Sequence, residues 1–194
     1  MSKDETLVEM IARCRKGEAA GFVWLLEEYG PRLYSYFLRS TGSTADAEDL
    51  LQDLFVRLLK KVADYQHEGV FDNWLFRIAA NLVRDRGRRQ QRQSPAQTGP
   101  GREEDDYGPP LENLTARGPT AAHAAELAEE IGRLQKALEE LPRLDREIIL
   151  LRHYGQMSFK DIARQCGIPL GTALAKVHRG LKTLNRILSN HERK

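Results

Sequence analysis

Three sets of side chains in this sequence have types and spacings that bind charged partners. In FDNWLFRIAANLVRDRGRRQQR, Asn73, Arg77, Asn81, Arg84 and Arg88 follow one another at four, four, three and four, which is one face of a helix. Guanidinium groups there meet phosphates, amides meet the edges of exposed bases, and Trp74 alongside offers a flat ring, as a single-stranded nucleic acid requires. A second basic stripe, Thr172, Lys176, Arg179, Thr183 and Arg186 with His178 and Lys182 beside it, suits the phosphates and base edges of a duplex. The third set is acidic: Asp46, Glu48, Asp49 and Asp53, with Gln52 among them. These carboxylates have no histidine nearby for acid/base work and lack the alternating oxygen ligands of a calcium loop. A docking face for a basic partner remains, alongside a plain role in capping and solubility. The basic stripes likewise have a plain reading as solvated helix faces.

The elements that must position these residues are helical. Ser158 and Asp161 cap a short helix starting at Phe159, and Gly167 supplies its left-handed end. Ile168 plugs the turn and Pro169 suits the first turn of the next helix, which together make a helix-turn-helix. In that second helix Leu174, Val177, Leu181, Leu184 and Leu188 are expected to form the core seam. Ser43 with Asp46 caps a helix over 44–62 whose core stripe is Leu50, Leu51, Leu54, Phe55, Leu58 and Val62. Phe71, Leu75, Ile78 and Leu82 bury the helix that carries the first basic track. Before these, Leu7, Val8, Ile11 and Cys14 mark one short helix ending before Gly17. Phe22 to Leu26 mark another, closed by Gly30, and Pro31 is expected to open a third with Leu33, Tyr34, Phe37 and Leu38 inward. Residues 93–120 are rich in Pro, Gly and polar residues without a period and read as a flexible linker. Leu127, Ile131, Leu134, Leu138 and Leu141 restore a helical seam before Pro142.

With 194 residues, either one large or two small domains can bury a core. The expected fold is all-α: two small helical domains, 1–92 and 125–194, joined by a linker over 93–124. Net charge is only +2, but acids gather at 46–53 and arginines at 84–92, so two different partners are implied. Two cysteines far apart give neither a disulfide framework nor a zinc site. The five histidines are scattered, with no HExxH, GxSxG or phosphate-binding loop, so neither an enzyme nor a metal or cofactor site is expected. No signal peptide and no apolar run of roughly 18 residues occurs, and the expectation is a cytoplasmic protein without membrane insertion.

DAEDLLQDLF, FDNWLFRIAANLVRDRGRR and LPRLDREIILLRHYGQMSFKDIARQCGIPLGTALAKVHRGLKTL, in that order, resemble the blocks of an alternative sigma factor of bacterial RNA polymerase. The resemblance is to the compact extracytoplasmic-function group, which keeps only regions two and four, and it covers nearly everything outside the middle. It implies a transcription initiation factor that binds core RNA polymerase, melts the minus-ten element and reads the minus-thirty-five element. It also implies that Asp46, Glu48, Asp49, Gln52 and Asp53 dock on the clamp helices of the polymerase. Asn73, Trp74, Arg77, Asn81, Arg84, Asp85 and Arg88 would hold the opened minus-ten strand, with residues 65–70 shaping a pocket for a flipped base. Arg152, Thr172, Lys176, Arg179 and Lys182 would meet the minus-thirty-five duplex. The acidic patch Glu103–Asp106 fits mimicry of nucleic acid near the polymerase active site. An anti-sigma partner and a monomeric free state are implied as well.

The sequence departs from the family pattern at Leu174, Ala175 and Gly180, where relatives often carry a basic residue, Ser and Ala. The duplex preference therefore does not carry over. Gly180 inside a helix costs about 1 kcal/mol relative to Ala, which close packing or a bend would have to justify. A rival reading is a helix-turn-helix regulator with a helical N-terminal domain, which predicts a dimer on palindromic duplex and needs neither the acidic helix nor the Asn/Arg track.

Overall fold

The computed structural model of the chain describes residues 3–66, 70–93 and 121–191, and among them every regular element is α-helical. The order is α1 (Lys3–Arg15), α2 (Ala19–Thr41), α3 (Thr44–Lys61), α4 (Phe71–Gln93), α5 (Ala121–Glu139), α6 (Arg143–His153), α7 (Phe159–Cys166) and α8 (Leu170–His191). Helices α1–α4 pack into one bundle around α2 and α5–α8 into a second around α8. Helix α5 begins inside the range read as linker. The remainder of that linker, with Glu103–Asp106, lies outside the described residues, as do residues 67–69.

Helix α2 corrects one expectation. Pro31 does not start a new helix; it lies inside a single helix of 23 residues. Leu25, Tyr29, Leu33 and Phe37 continue one buried stripe through it. Losing one helical hydrogen bond to proline costs about 3 kcal/mol. Each large apolar side chain on the stripe returns about 1.5–3 kcal/mol on burial, so continuity wins. Pro31 itself is exposed, as is Glu27, whose carbonyl loses its helical donor on the solvent side. The helix stops at Gly42, whose φ of 73° lets its N–H reach the Leu38 carbonyl. Ser43 then caps α3 by accepting from the Asp46 N–H at 3.2 Å.

In the second bundle Ser158 accepts from the Asp161 N–H at 3.1 Å, and Gly167 ends α7 with a φ of 66°. The Ile168 N–H closes the turn onto the Ala163 carbonyl at 3.0 Å. Helix α8 is rotated relative to the expected seam. Leu174 and Leu181 are exposed, and the buried line is Ala173, Gly180, Leu184 and Ile187, with Val177 and Leu188 half-buried. The rotation follows from the small residues: a Cβ on Gly180 would sit 2.7 Å from the Ile149 Cδ1, so glycine lets α8 approach α6 closely.

The two bundles share one core. Tyr36 meets Tyr154 edge to face at 6.5 Å between centroids. Gly155 lies so close to Phe76 that an added Cβ would stand 3.1 Å from the ring. Buried Arg39 donates to the Ile131 carbonyl at 3.1 Å and to the Gln135 Oε1 at 3.3 Å, and Gln135 is itself fully buried. A buried polar pair with both partners satisfied fixes one mutual orientation of the bundles.

Candidate nucleic-acid interface

On α3, Ala47, Leu50, Leu54 and Leu58 turn inward, which leaves Glu48, Asp49, Gln52 and Asp53 exposed on the outer surface. Asp46 is placed differently from its neighbours. Its carboxylate is ion-paired to Arg86 of α4 and also accepts from the Gln90 Nε2 at 3.3 Å. Arg86 reaches Asp49 as well, at 3.4 Å. Burial works to lower the Arg86 pKa, but hydrogen bonding and charge from Asp46 and Asp49 outweigh it and hold the guanidinium above its ordinary value. Asp46 thus gives its backbone N–H to the Ser43 cap and ties α3 to α4 through its side chain. Arg86, which sequence reasoning had only as one arginine in a run, is the other half of that tie.

Helix α4 carries the Asn/Arg track. Phe71 is a core residue, 2% exposed. Trp74 is half-buried, with its ring centroid 4.6 Å from that of Tyr65 and 5.5 Å from that of Phe71. Tyr65 is held from behind, since Arg15 donates to its carbonyl. Asn73, Arg77, Asn81 and Arg84 do line one face, and helices α6 and α7 lie against it. The Asn73 Nδ2 donates to the Asp161 Oδ2 at 3.4 Å. Gln165 Nε2 donates to the Asn81 Oδ1 at 3.1 Å and to the Arg77 carbonyl at 3.5 Å. Arg84 pairs with Glu147 of α6 at 2.5 Å and contacts the Cys166 Sγ at 3.7 Å. Burial pulls the Arg84 pKa down, and the charge and hydrogen bond of Glu147 more than reverse it. For Cys166, burial and then Glu147 push the thiol pKa up against the opposing pull of Arg84. Asp85 and Arg88 form an exposed pair at 3.9 Å. Glu147 and Gln165 had no signal in the sequence, because their partners lie more than 60 residues away.

On α8, Arg179, Lys182 and Arg186 are exposed, with His178 beside them, and Thr172 is half-buried. Lys176 is engaged elsewhere: its Nζ lies 2.7 Å from the Oδ1 of Asp145, which is 6% exposed. Arg152 stays at the surface while donating to the Met157 carbonyl at 2.9 Å, with its guanidinium 5.2 Å above the Phe159 ring. That arrangement braces the turn entering α7. Among the described residues no group of His, Cys, Asp and Glu is arranged to hold a metal ion, and no helix is long and apolar enough to cross a membrane.

The bundle carrying the acidic helix and the Asn/Arg track, followed by a helix-turn-helix bundle, defines a class that comparison with known proteins makes explicit. Residues 25–93 match the family model Sigma-70 region 2, and residues 131–184 match Sigma-70, region 4. The RNA polymerase sigma factor CarQ of Myxococcus xanthus is 30% identical over 181 residues, covering 93% of this chain and 96% of CarQ. The ECF RNA polymerase sigma factor SigE of Mycolicibacterium smegmatis is 32% identical over 174 residues, which span 86% of this chain and 61% of SigE. Among solved structures, the sigma factor RpoE of Bartonella quintana, crystallised with the anti-sigma factor NepR, is 26% identical. It superposes with a TM-score of 0.64 over 87% of this chain and 96% of that one. The chain belongs to the extracytoplasmic-function sigma factors, which are transcription initiation factors that direct RNA polymerase to promoters.

Proposed function

We propose that this chain divides promoter recognition between its two bundles and docks on core polymerase through α3. Glu48, Asp49, Gln52 and Asp53 form the docking face, with Asp46 holding it in register through Arg86. Asn73, Trp74, Arg77, Asn81 and Arg84 take the opened minus-ten strand, with Asp85 and Arg88 at the end of the track. Trp74, half-buried with its ring tilted against those of Tyr65 and Phe71, gives a flat surface on which a base can lie. The exposed face of α8 with Arg179 and Lys182, flanked by Thr172 and Arg152, meets the minus-thirty-five duplex. Phosphate contacts supply salt-dependent affinity, and base contacts supply the choice of sequence. Melting a few base pairs costs several kcal/mol, which capture of flipped bases offsets. Nucleotide addition stays with the polymerase. The observation that carries this reading is that α3, α4 and α8 present one acidic and two basic faces, each on the side of its helix away from its own buried stripe.

The free chain is a cytoplasmic monomer in this reading, with both units at the locus by virtue of one polypeptide. An anti-sigma partner fits as well, as RpoE of Bartonella quintana was crystallised with one. Replacing Asp49 and Asp53 with Lys should abolish association with core polymerase in a pull-down while circular dichroism stays unchanged, since both side chains are exposed. Undiminished association would refute the docking face.

A further inference from the structure

In a helix-turn-helix the N-terminal turns of the second helix enter the major groove, and the side chains there meet base edges. On α8 those turns span 170–177, and what they leave open is apolar. Leu170 and Leu174, 47% and 45% exposed, stand four residues apart on one face, with Gly171 and Ala175 exposed beside them. Neither polar side chain in the segment changes this. Lys176 is drawn to Asp145, with its Nζ 2.7 Å from the Oδ1. Thr172 is half-buried and carries a hydroxyl that does not discriminate between bases. From His178 onward the exposed side chains are polar or charged apart from Leu181. Gly171 adds an independent sign. A Cβ there would meet nothing within 4 Å, so no neighbour in the chain requires a residue that weakens a helix. Its bare backbone suits close approach by something outside the chain.

We propose that Leu174 and Leu170 are the side chains by which α8 selects sequence, and that they read the C5 methyl of thymine. The major groove offers donors, acceptors and one apolar group, which is that methyl. The open side of the helix tip has no free cation for guanine, no carboxylate for cytosine and no amide for the adenine edge. A leucine laid against a donor or acceptor strips its water and returns no bond, whereas a thymine methyl is buried with gain. The basic residues from His178 onward then hold phosphates, which fixes the register without adding sequence choice. The inference rests on the duplex-reading role of α8 given above and adds the base that it selects.

The probe is a library of promoter-length duplexes of randomised sequence, selected by the full chain reconstituted with core polymerase. Recovered duplexes should share an upstream element that contains thymine. Resynthesised with deoxyuridine, which lacks only the C5 methyl, they should bind about fourfold more weakly for each methyl that a leucine covers. Leu174→Ala should fall to about the affinity that the parent shows for the deoxyuridine duplex, and should no longer distinguish the two bases at its own position. Leu174→Arg should shift the selected base there towards guanine. Because Leu174 is exposed, circular dichroism of both variants should match the parent's. A parent indifferent to deoxyuridine, or a Leu174→Ala variant that keeps the whole penalty at every thymine, overturns the proposal. So does a Leu174→Ala variant that loses core polymerase in a pull-down, which assigns the leucines to a protein partner. Arg179→Ala separates the two readings. If it lowers the salt slope while deoxyuridine has no effect, only thymine reading is lost; if it too changes nothing, the duplex role of α8 is lost with it.

Discussion

Lys176 and Arg179 stand three residues apart on α8, both basic and both on the stripe that reads as a DNA face, yet their surroundings give them different work. Arg179 is exposed, while Lys176 neutralises Asp145, a buried carboxylate of α6. Removing a cation from a buried carboxylate leaves an uncompensated charge, which is costly even when the pair itself contributes little. Lys176→Ala should therefore lower unfolding stability by about 2–3 kcal/mol in denaturant titrations. The salt dependence of duplex binding should then be unchanged. Arg179→Ala should do the reverse: stability within about 0.5 kcal/mol of the parent, and a slope of log affinity against log salt reduced by about one. A reduced slope for Lys176→Ala would return that side chain to the DNA face. Asp46 follows the same logic on α3, where the acid nearest the helix start serves α4 rather than the outer surface.

At the scale of elements, glycines fix how closely helices approach. A Cβ at Gly155 would fall 2.7 Å from the Leu151 carbonyl oxygen, a backbone atom at the end of α6 that cannot step aside. At Gly180 the obstacle is the Ile149 Cδ1, the far end of a side chain rather than backbone. Gly155→Ala should thus destabilise by about 1–3 kcal/mol through overpacking. Gly180→Ala should be near neutral, because up to about 1 kcal/mol of helix propensity offsets the displaced Ile149. Thermal denaturation of the two variants checks the contrast, and equal losses would mean that α6 and α8 cannot adjust. Pro31 belongs at this scale too: a helix interrupted in its hydrogen bonds persists because its buried stripe is not interrupted.

At the scale of the molecule, the first bundle holds a group of buried phenols and a thiol whose ionisation folding suppresses. Burial raises Cys14 from its ordinary value near 9 to about 11, and raises Tyr29 to about 12, against a partial opposing pull from Arg32. Burial also raises Tyr34 and Tyr36. For acids with a raised folded pKa, the unfolded chain loses protons first as pH rises, so stability is full below the unfolded pKa and falls above it. Denaturation midpoints should hold up to about pH 8.5 and decline progressively above about pH 9. Cys14→Ala should flatten the first part of that decline and leave the tyrosine part above about pH 10. A midpoint that stays level from about pH 8 to about pH 11 would contradict the suppressed ionisation.

Periodicity and caps fixed much of this protein without reference to tertiary contacts. The Ser43 and Ser158 caps, the Gly42 and Gly167 ends, the turn around Ile168 and the faces of α3 and α4 follow from interactions three or four residues apart, which a linear sequence displays directly. Three charged blocks in order also carried the family. The rotation of α8 was not legible, since Leu174 and Ala173 differ by 100° of helix and only the packing of α8 against its neighbours, Gly180 against Ile149 included, selects between them. Nor was the fate of Asp46, Lys176, Asn81 and Arg84. Each has a partner between 31 and 84 residues distant, and pairing across such separations depends on how whole helices dock, a property that no local pattern encodes.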